Sequence, residues 1–306
     1  MPSSPSVGAP ERVVEPSPAA PRPRHSEIAE PWTKPWWWCA RGEWATFGWI
    51  VLLHGSLLLA PFVTERPSAG LLLTALGLCA LGGLGTTVAF HRALAHGAAK
   101  LHWLVETPLI LFAVMNGSGK PLTWVANHRL HHAVSDTDED ISAPSRGGFW
   151  WAHLRWLWQA GQAPIERYCG KLDCRRYRIW TQLQVPLLAI SFFGGLLISP
   201  TAWFWLGPAR LLLGLHLQCT INSISHLGDA RSAGGSSQNV AWLAPFHFLQ
   251  GENWHRNHHD DPADARIGRT RWQVDFGWWT IALFRALGLA TDVQRSRSAV
   301  RGGTAR

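Results

Sequence analysis

Fifteen histidines in 306 residues would produce an HxxHH arrangement by chance only about 0.04 times, yet it occurs twice. His128, His131 and His132 make one copy, and His255, His258 and His259 make the other. On a helix, the first and fourth members lie one turn apart on one face and the fifth about 100° round, so three imidazoles converge. His91 and His96, five positions apart in HRALAH, are expected near one side at the mouth of an apolar span, and His226 at the end of another. Imidazole alone suits Zn, Cu, Fe or Ni. Eight or nine imidazoles exceed what one tetrahedral zinc uses, so a two-metal centre is favoured over a single structural zinc, and redox-active iron suits neutral nitrogen ligands. Asp136, Asp138, Asp140, Glu252 and Asp260 neighbour the clusters and are candidates to accept from ligand ring nitrogens, Asp136 foremost.

The other histidines read as packing or hydrogen-bonding groups: His25 in a polar tail, His54 in an apolar span, and His102, His153, His216 and His247 standing singly. The five cysteines, Cys39, Cys79, Cys169, Cys174 and Cys219, are odd in number and show no CxxC spacing, which argues against a disulfide framework. Cys169 and Cys174 read as reduced thiols.

The elements that must position these histidines are apolar. The chain is 47% hydrophobic and 16% charged, with 20 Trp and a formal net charge of +8. The apolar runs assign that basic excess to lipid surfaces rather than nucleic acid. Four spans are expected, at about 46–64, 69–90, 181–198 and 209–225, with Ser199 to Pro208 as a turn and Pro208 opening the fourth helix. Gly82, Gly83 and Gly85 permit close helix packing. Leu101 to Met115 and Gly277 to Ala290 are too short or too charged to span. The expectation is an all-α integral membrane protein, its four transmembrane helices in two hairpins beneath a helical cap that carries the histidines. It divides into a disordered tail 1–31, a membrane domain 32–292 with cap segments 91–180 and 226–292, and a flexible tail 293–306. Lys and Arg concentrate in the tails and cap, so both termini and all four histidine groups are expected on the cytosolic side. No secretory signal is read at the start.

Read in order, FHRALAH, WVANHRLHHAVSDTDED, GFWWAH, INSISH and GENWHRNHH resemble the membrane-bound acyl-CoA desaturases, the stearoyl-CoA delta-9 type and its bacterial relatives, over about residues 45–292. That resemblance implies two Fe ions held by His91, His96, His128, His131, His132, His226, His255, His258 and His259, with Asn222 reaching one iron through water. It implies an O2-dependent fatty acyl desaturase of lipid metabolism, placing a cis double bond in a saturated chain in a bacterial inner membrane. No HPGG or GxGxxG segment is seen, so electrons come from an external cytochrome b5, ferredoxin or flavoprotein. His91 and His96 enclose four residues as in desaturases, whereas fatty acid hydroxylase types usually enclose three. Three departures bear on the acyl carrier: ISAPS after Asp140, Arg155 after GFWWAH, and no basic stretch after Trp158. Acyl groups on a carrier protein or a membrane lipid therefore stand beside acyl-CoA. The alternatives are a di-iron alkyl or acyl hydroxylase and, from another class, a metal transporter, which would hold its ligands near the bilayer midplane.

Overall fold

The computed structural model describes residues 30–232 and 235–296. The expected tails 1–31 and 293–306, and His25, lie outside the described residues except for residues 30, 31 and 293–296. Leu- and Ala-rich sequence without internal acids forms helix α1 (Trp44–Val63) and helix α2 (Ala69–Ala95). Ser68 caps α2 by accepting from the Leu71 amide. Helix α3 (Trp103–Met115) packs along α2, and α4 (Pro121–Val134) begins on Pro121, whose missing N–H costs nothing at the first position. Helix α5 (Arg175–Leu197) and the continuous helical segment 200–223, α6, follow. The short α7 (His255–Asp260) and the amphipathic α8 (Phe276–Ala286) complete the cap. Strands Lys100–Leu101 and Ala290–Thr291 pair antiparallel, Lys100 opposite Thr291, tying the cap's end to the start of α3.

Among the described residues, α1, α2 and α5 are the helices long and apolar enough to cross a membrane. Their outer faces carry exposed apolar side chains such as Phe62 (85% exposed), Val185 (73%) and Leu197 (94%), a pattern suited to lipid and not to water. At about 20 Å, α3 falls short of a hydrocarbon core of about 30 Å.

Two expectations are corrected. The stretch from Ser199 to Pro208 is helical: Ser199 caps it by accepting from the Ala202 amide, and Pro200 takes the first turn. Pro208 does not open the last helix but sits inside it, in a wide π turn Trp205–Ala209. Widening displaces the carbonyl that a proline ring would strike in a regular helix. Arg210, in the same helix, is buried and bonded within the protein, donating to the Leu206 carbonyl (2.7 Å), the Asn116 side chain (3.0 Å) and Ser191.

Glycine sets the distance between α2 and α3. A Cβ on Gly85 would lie 2.1 Å from the Leu109 carbonyl oxygen, and one on Gly82 would lie 2.2 Å from the Asn116 Cβ. Backbone cannot retreat as a flexible side chain can, so Gly85→Val should destabilise the protein by about 1–3 kcal/mol and lower its melting temperature in detergent. An unchanged melting temperature would show that the helices can separate without cost.

Candidate metal centre

The last turns of α2 decide the position of the first two histidines. In a regular helix, residues five apart are about 140° apart around the axis and face different ways. Gly85–Ala95, however, is π-helical, and the His96 amide donates to the His91 carbonyl at 3.1 Å. The i to i+5 ladder stacks His91 and His96 one turn apart, their rings 5.0 Å centre to centre. Every residue of this stretch is buried. The five-residue spacing in the sequence was the visible sign; the widened turn is what makes it converge.

Nine histidines meet in two groups. His91, His96, His128, His132 and His258 form one, and His131, His226, His255 and His259 the other, with the ligand atoms of each group within 4.8 Å of one another. α2, α4 and α7 supply the first group; α4, α7 and the turn after α6 supply the second. Each HxxHH motif is therefore divided between the groups, and neither serves one cluster alone. The nitrogens converge through Nε2: His91 to His258 at 3.0 Å, His96 to His128 at 2.8 Å and His132 to His258 at 2.9 Å in the first group. In the second, His226 to His255 is 2.9 Å and His259 to His255 is 3.1 Å.

Neighbouring acids fix which nitrogen of some rings points inward. His91 Nδ1 lies 2.8 Å from Glu252 Oε2, and His131 Nδ1 lies 3.1 Å from Asp140 Oδ2. His226 Nδ1 meets Ser236 Oγ at 3.1 Å. With the ring proton on Nδ1, Nε2 presents a lone pair to the cluster. Burial would raise the Glu252 carboxyl, but the neighbouring His91 and Arg92 hold it at about 2. The Asp140 carboxyl is likewise held below its ordinary value against burial by His131, and His131 is held up by Asp140. Burial, and then the neighbouring imidazoles, lower His128, His132, His226, His255, His258 and His259 well below the ordinary value, keeping them neutral.

The acids that brace the rings are thus Glu252 and Asp140, not the expected Asp136. Asp136 accepts from the Ser236 amide at 2.9 Å and acts one residue removed from His226 Nδ1. Asp138 pairs with Arg146, and Asp260 with Arg256 and Arg269. Sequence adjacency could not separate these acids, because the loop's path selects which of them faces inward.

Two arginines beside the motifs, unnoticed in the sequence, lock the supporting elements together. Arg92 pairs with Asp275 at 2.8 Å and donates to the carbonyls of Gln250 and Ala265, joining α2 to the loops on both sides of α7. Arg129 donates to the carbonyls of Leu94, Ala95 and Tyr168, joining α4 to the end of α2. Each follows a motif histidine directly, a position that could have signalled them.

The donor set fits a pair of cations. Neutral rings facing lone pair to lone pair at about 3 Å repel unless a positive ion lies among them, and the buried Nε2 of His131 has no hydrogen-bond partner. Asn222 is half-buried on α6, four residues before His226. His54, His153, His216 and His247 stand apart from both groups, bonded to one another or to hydroxyls and a carbonyl.

Comparison with known proteins agrees with this geometry. Residues 66–275 match the model of the fatty acid desaturase family. The chain is 36% identical to Delta-9 acyl-lipid desaturase 1 of Arabidopsis thaliana, over 80% of this chain and 81% of that protein. It is 34% identical to Delta-9 acyl-lipid desaturase 2 of the same plant, over 88% and 89%. It is 32% identical to the icosanoyl-CoA 5-desaturase of Limnanthes douglasii, over 80% and 70%.

Replacing Glu252 by Gln should weaken metal binding on the order of tenfold or more, because a neutral acceptor leaves His91 less basic. Chelator competition on the purified protein measures it. Unchanged affinity would show that the carboxylate does not act through His91.

Proposed function

The chain belongs to the fatty acid desaturase family, and from that premise we propose that it inserts a cis double bond at the delta-9 position of a saturated acyl chain, using O2 and two externally supplied electrons. The observation that carries this reading is the pair of adjoining imidazole groups, five and four strong, their members buried or half-buried and most of them held well below the ordinary imidazole value. Two Fe ions are the cofactor, the first held by His91, His96, His128, His132 and His258, the second by His131, His226, His255 and His259 with Asn222 through water.

Iron bound there supplies the reduction of O2 and an oxidant able to take hydrogen from an unactivated C–H bond, which acid and base chemistry leave intact. The overall balance is a –CH2–CH2– unit, O2, two electrons and two protons giving a –CH=CH– unit and two waters. The residues of the chain do the rest. Glu252, Asp140 and Ser236 hold ring protons at Nδ1 so that Nε2 stays free, and Arg92 and Arg129 hold the three supporting helices in register. Trp124, stacked on His128 at 4.8 Å, shields the first group from water.

As the acyl carrier, a membrane lipid fits best. Two of the relatives are named for acyl-lipid substrates, and the sequence lacks the basic stretch after Trp158. Acyl-CoA is the second reading, favoured by the relative named for icosanoyl-CoA. The 200–223 helix serves as a fourth span: at roughly 36 Å it exceeds the hydrocarbon thickness, and its Arg210 is bonded inside the protein. The two hairpins then bring both termini and the metal centre to the cytosolic side, where the Lys and Arg residues concentrate and a cytochrome b5, ferredoxin or flavoprotein donor can reach it.

Expression in a bacterial host without an aerobic desaturase, followed by gas chromatography and mass spectrometry of its fatty acids, should reveal new cis monoenes. His131→Ala should abolish them. Hydroxy acids would replace this reading with hydroxylation, and product surviving in His131→Ala would overturn the site. Labelled acyl-lipid and acyl-CoA offered to membranes in parallel identify the carrier.

A further inference from the structure

The ligand position farthest beyond the end of a helix is His226. Helix α6 ends at Ser223, so His226 lies three residues beyond its regular ladder, in a turn. The group it joins has four rings instead of five, and the buried Nδ1 of its His255 has no hydrogen-bond partner. The place of the second group therefore depends on what fixes the end of α6.

The motif GFWWAH supplies that fixation, although nothing in the metal clusters uses it. Its histidine, His153, sits in a π turn, Trp151–Arg155, packed on α6. Its Nδ1 meets Ser223 Oγ at 2.8 Å, and its Nε2 meets His216 Nδ1 at 2.9 Å. Ser223 and His216 are seven residues apart, two turns on one face of α6, so a single ring bridges two successive points of the helix's last stretch. Ser223 is 0% exposed and His153 is 6% exposed. Phe149 stacks on the His153 ring at 5.3 Å with 12° between planes, which fixes its tilt. Behind it, His216 Nε2 meets His54 Nε2 at 3.2 Å, and His54 Nδ1 donates to the Ile50 carbonyl at 2.8 Å. The three rings form a line in which each nitrogen has a different partner. They do not converge, so they do not make a third metal site. They form a strut from α1 through α6 to the cap.

We infer that His153 is a positioning residue: its hydrogen bond to Ser223 fixes the last turn of α6, and through that turn it sets Asn222 and His226 at the four-imidazole group. This rests on the metal-centre reading above. Ser223 lies next to Asn222 and three residues before His226, so a shift of the helix end moves both donors and leaves the five-imidazole group in place.

Conservative variants separate the two bonds. Asn at 153 carries its amide nitrogen where histidine carries Nδ1 and keeps the bond to Ser223; Gln places its amide where Nε2 lies and keeps only the bond to His216. Ser223→Ala removes one buried hydroxyl and is the smaller change should His153→Gln fail to fold. The full-length protein in detergent is titrated with cobalt(II), reading metal bound per chain and the visible absorption of the bound ion. Wild type should take two ions. Ser223→Ala and His153→Gln should hold one as before and bind the other on the order of tenfold more weakly, with an altered absorption band, and His153→Asn should match wild type. Two equally tight ions in both Ser223→Ala and His153→Gln would overturn the inference, as would His153→Asn behaving like His153→Gln. A wild type that binds fewer than two ions would instead overturn the metal-centre reading itself, and this inference with it.

Discussion

Eight imidazole nitrogens brought to within about 3 Å of a neighbour, with the ninth, from His131, within 4.8 Å of its group, are the constraint around which this protein is arranged. Neutral lone pairs do not attract one another, and burial removes the water that would otherwise solvate them. The convergence must therefore be imposed from outside the clusters. It comes from a helix forced into a wide turn, from two arginines that bind backbone carbonyls across elements, and from acids that fix ring protons on the far nitrogen.

The membrane helices serve this frame directly. α2 runs without interruption from its apolar span into the π turn that carries His91 and His96, so the position of the site is tied to the position of the helix in the bilayer. α6 plays the same part for Asn222 and His226, at the end of a helix whose polar residues face the protein interior. Close approach of α2 and α3 at Gly85 makes the support stiff, because backbone meets backbone there with no intervening side chain, and at Gly82 the helix packs directly on the Asn116 side chain.

The division of each HxxHH motif between two clusters also has a physical cause. On a helix the first and fifth positions lie about 40° apart, whereas the fourth lies about 60° to the other side of the first and so about 100° from the fifth. On α4 this sends His128 and His132 to one group and His131 to the other; on α7 it sends His258 to the first and His255 and His259 to the second. Two helices bearing the same motif thus each contribute to both imidazole groups, which one motif alone cannot build.

The sequence by itself determined the chemistry and its location in the chain. Two HxxHH motifs, the HRALAH pair and His226 name all nine clustered imidazoles, because side chains that converge from one helix leave local spacing that composition cannot mimic. Apolar runs likewise announced α1, α2 and α5, since hydropathy is a local property. Tertiary structure alone decided which histidine joins which group, that Glu252 and Asp140 rather than Asp136 brace the rings, and that Arg92 and Arg129 bind the elements together. It also decided that Pro208 lies inside a helix and does not start one, because neighbouring turns can absorb a proline in ways its own identity does not reveal. These features depend on contacts between residues up to about 170 positions apart, such as Arg92 with Ala265, and no local pattern encodes which distant partner the folded chain will supply.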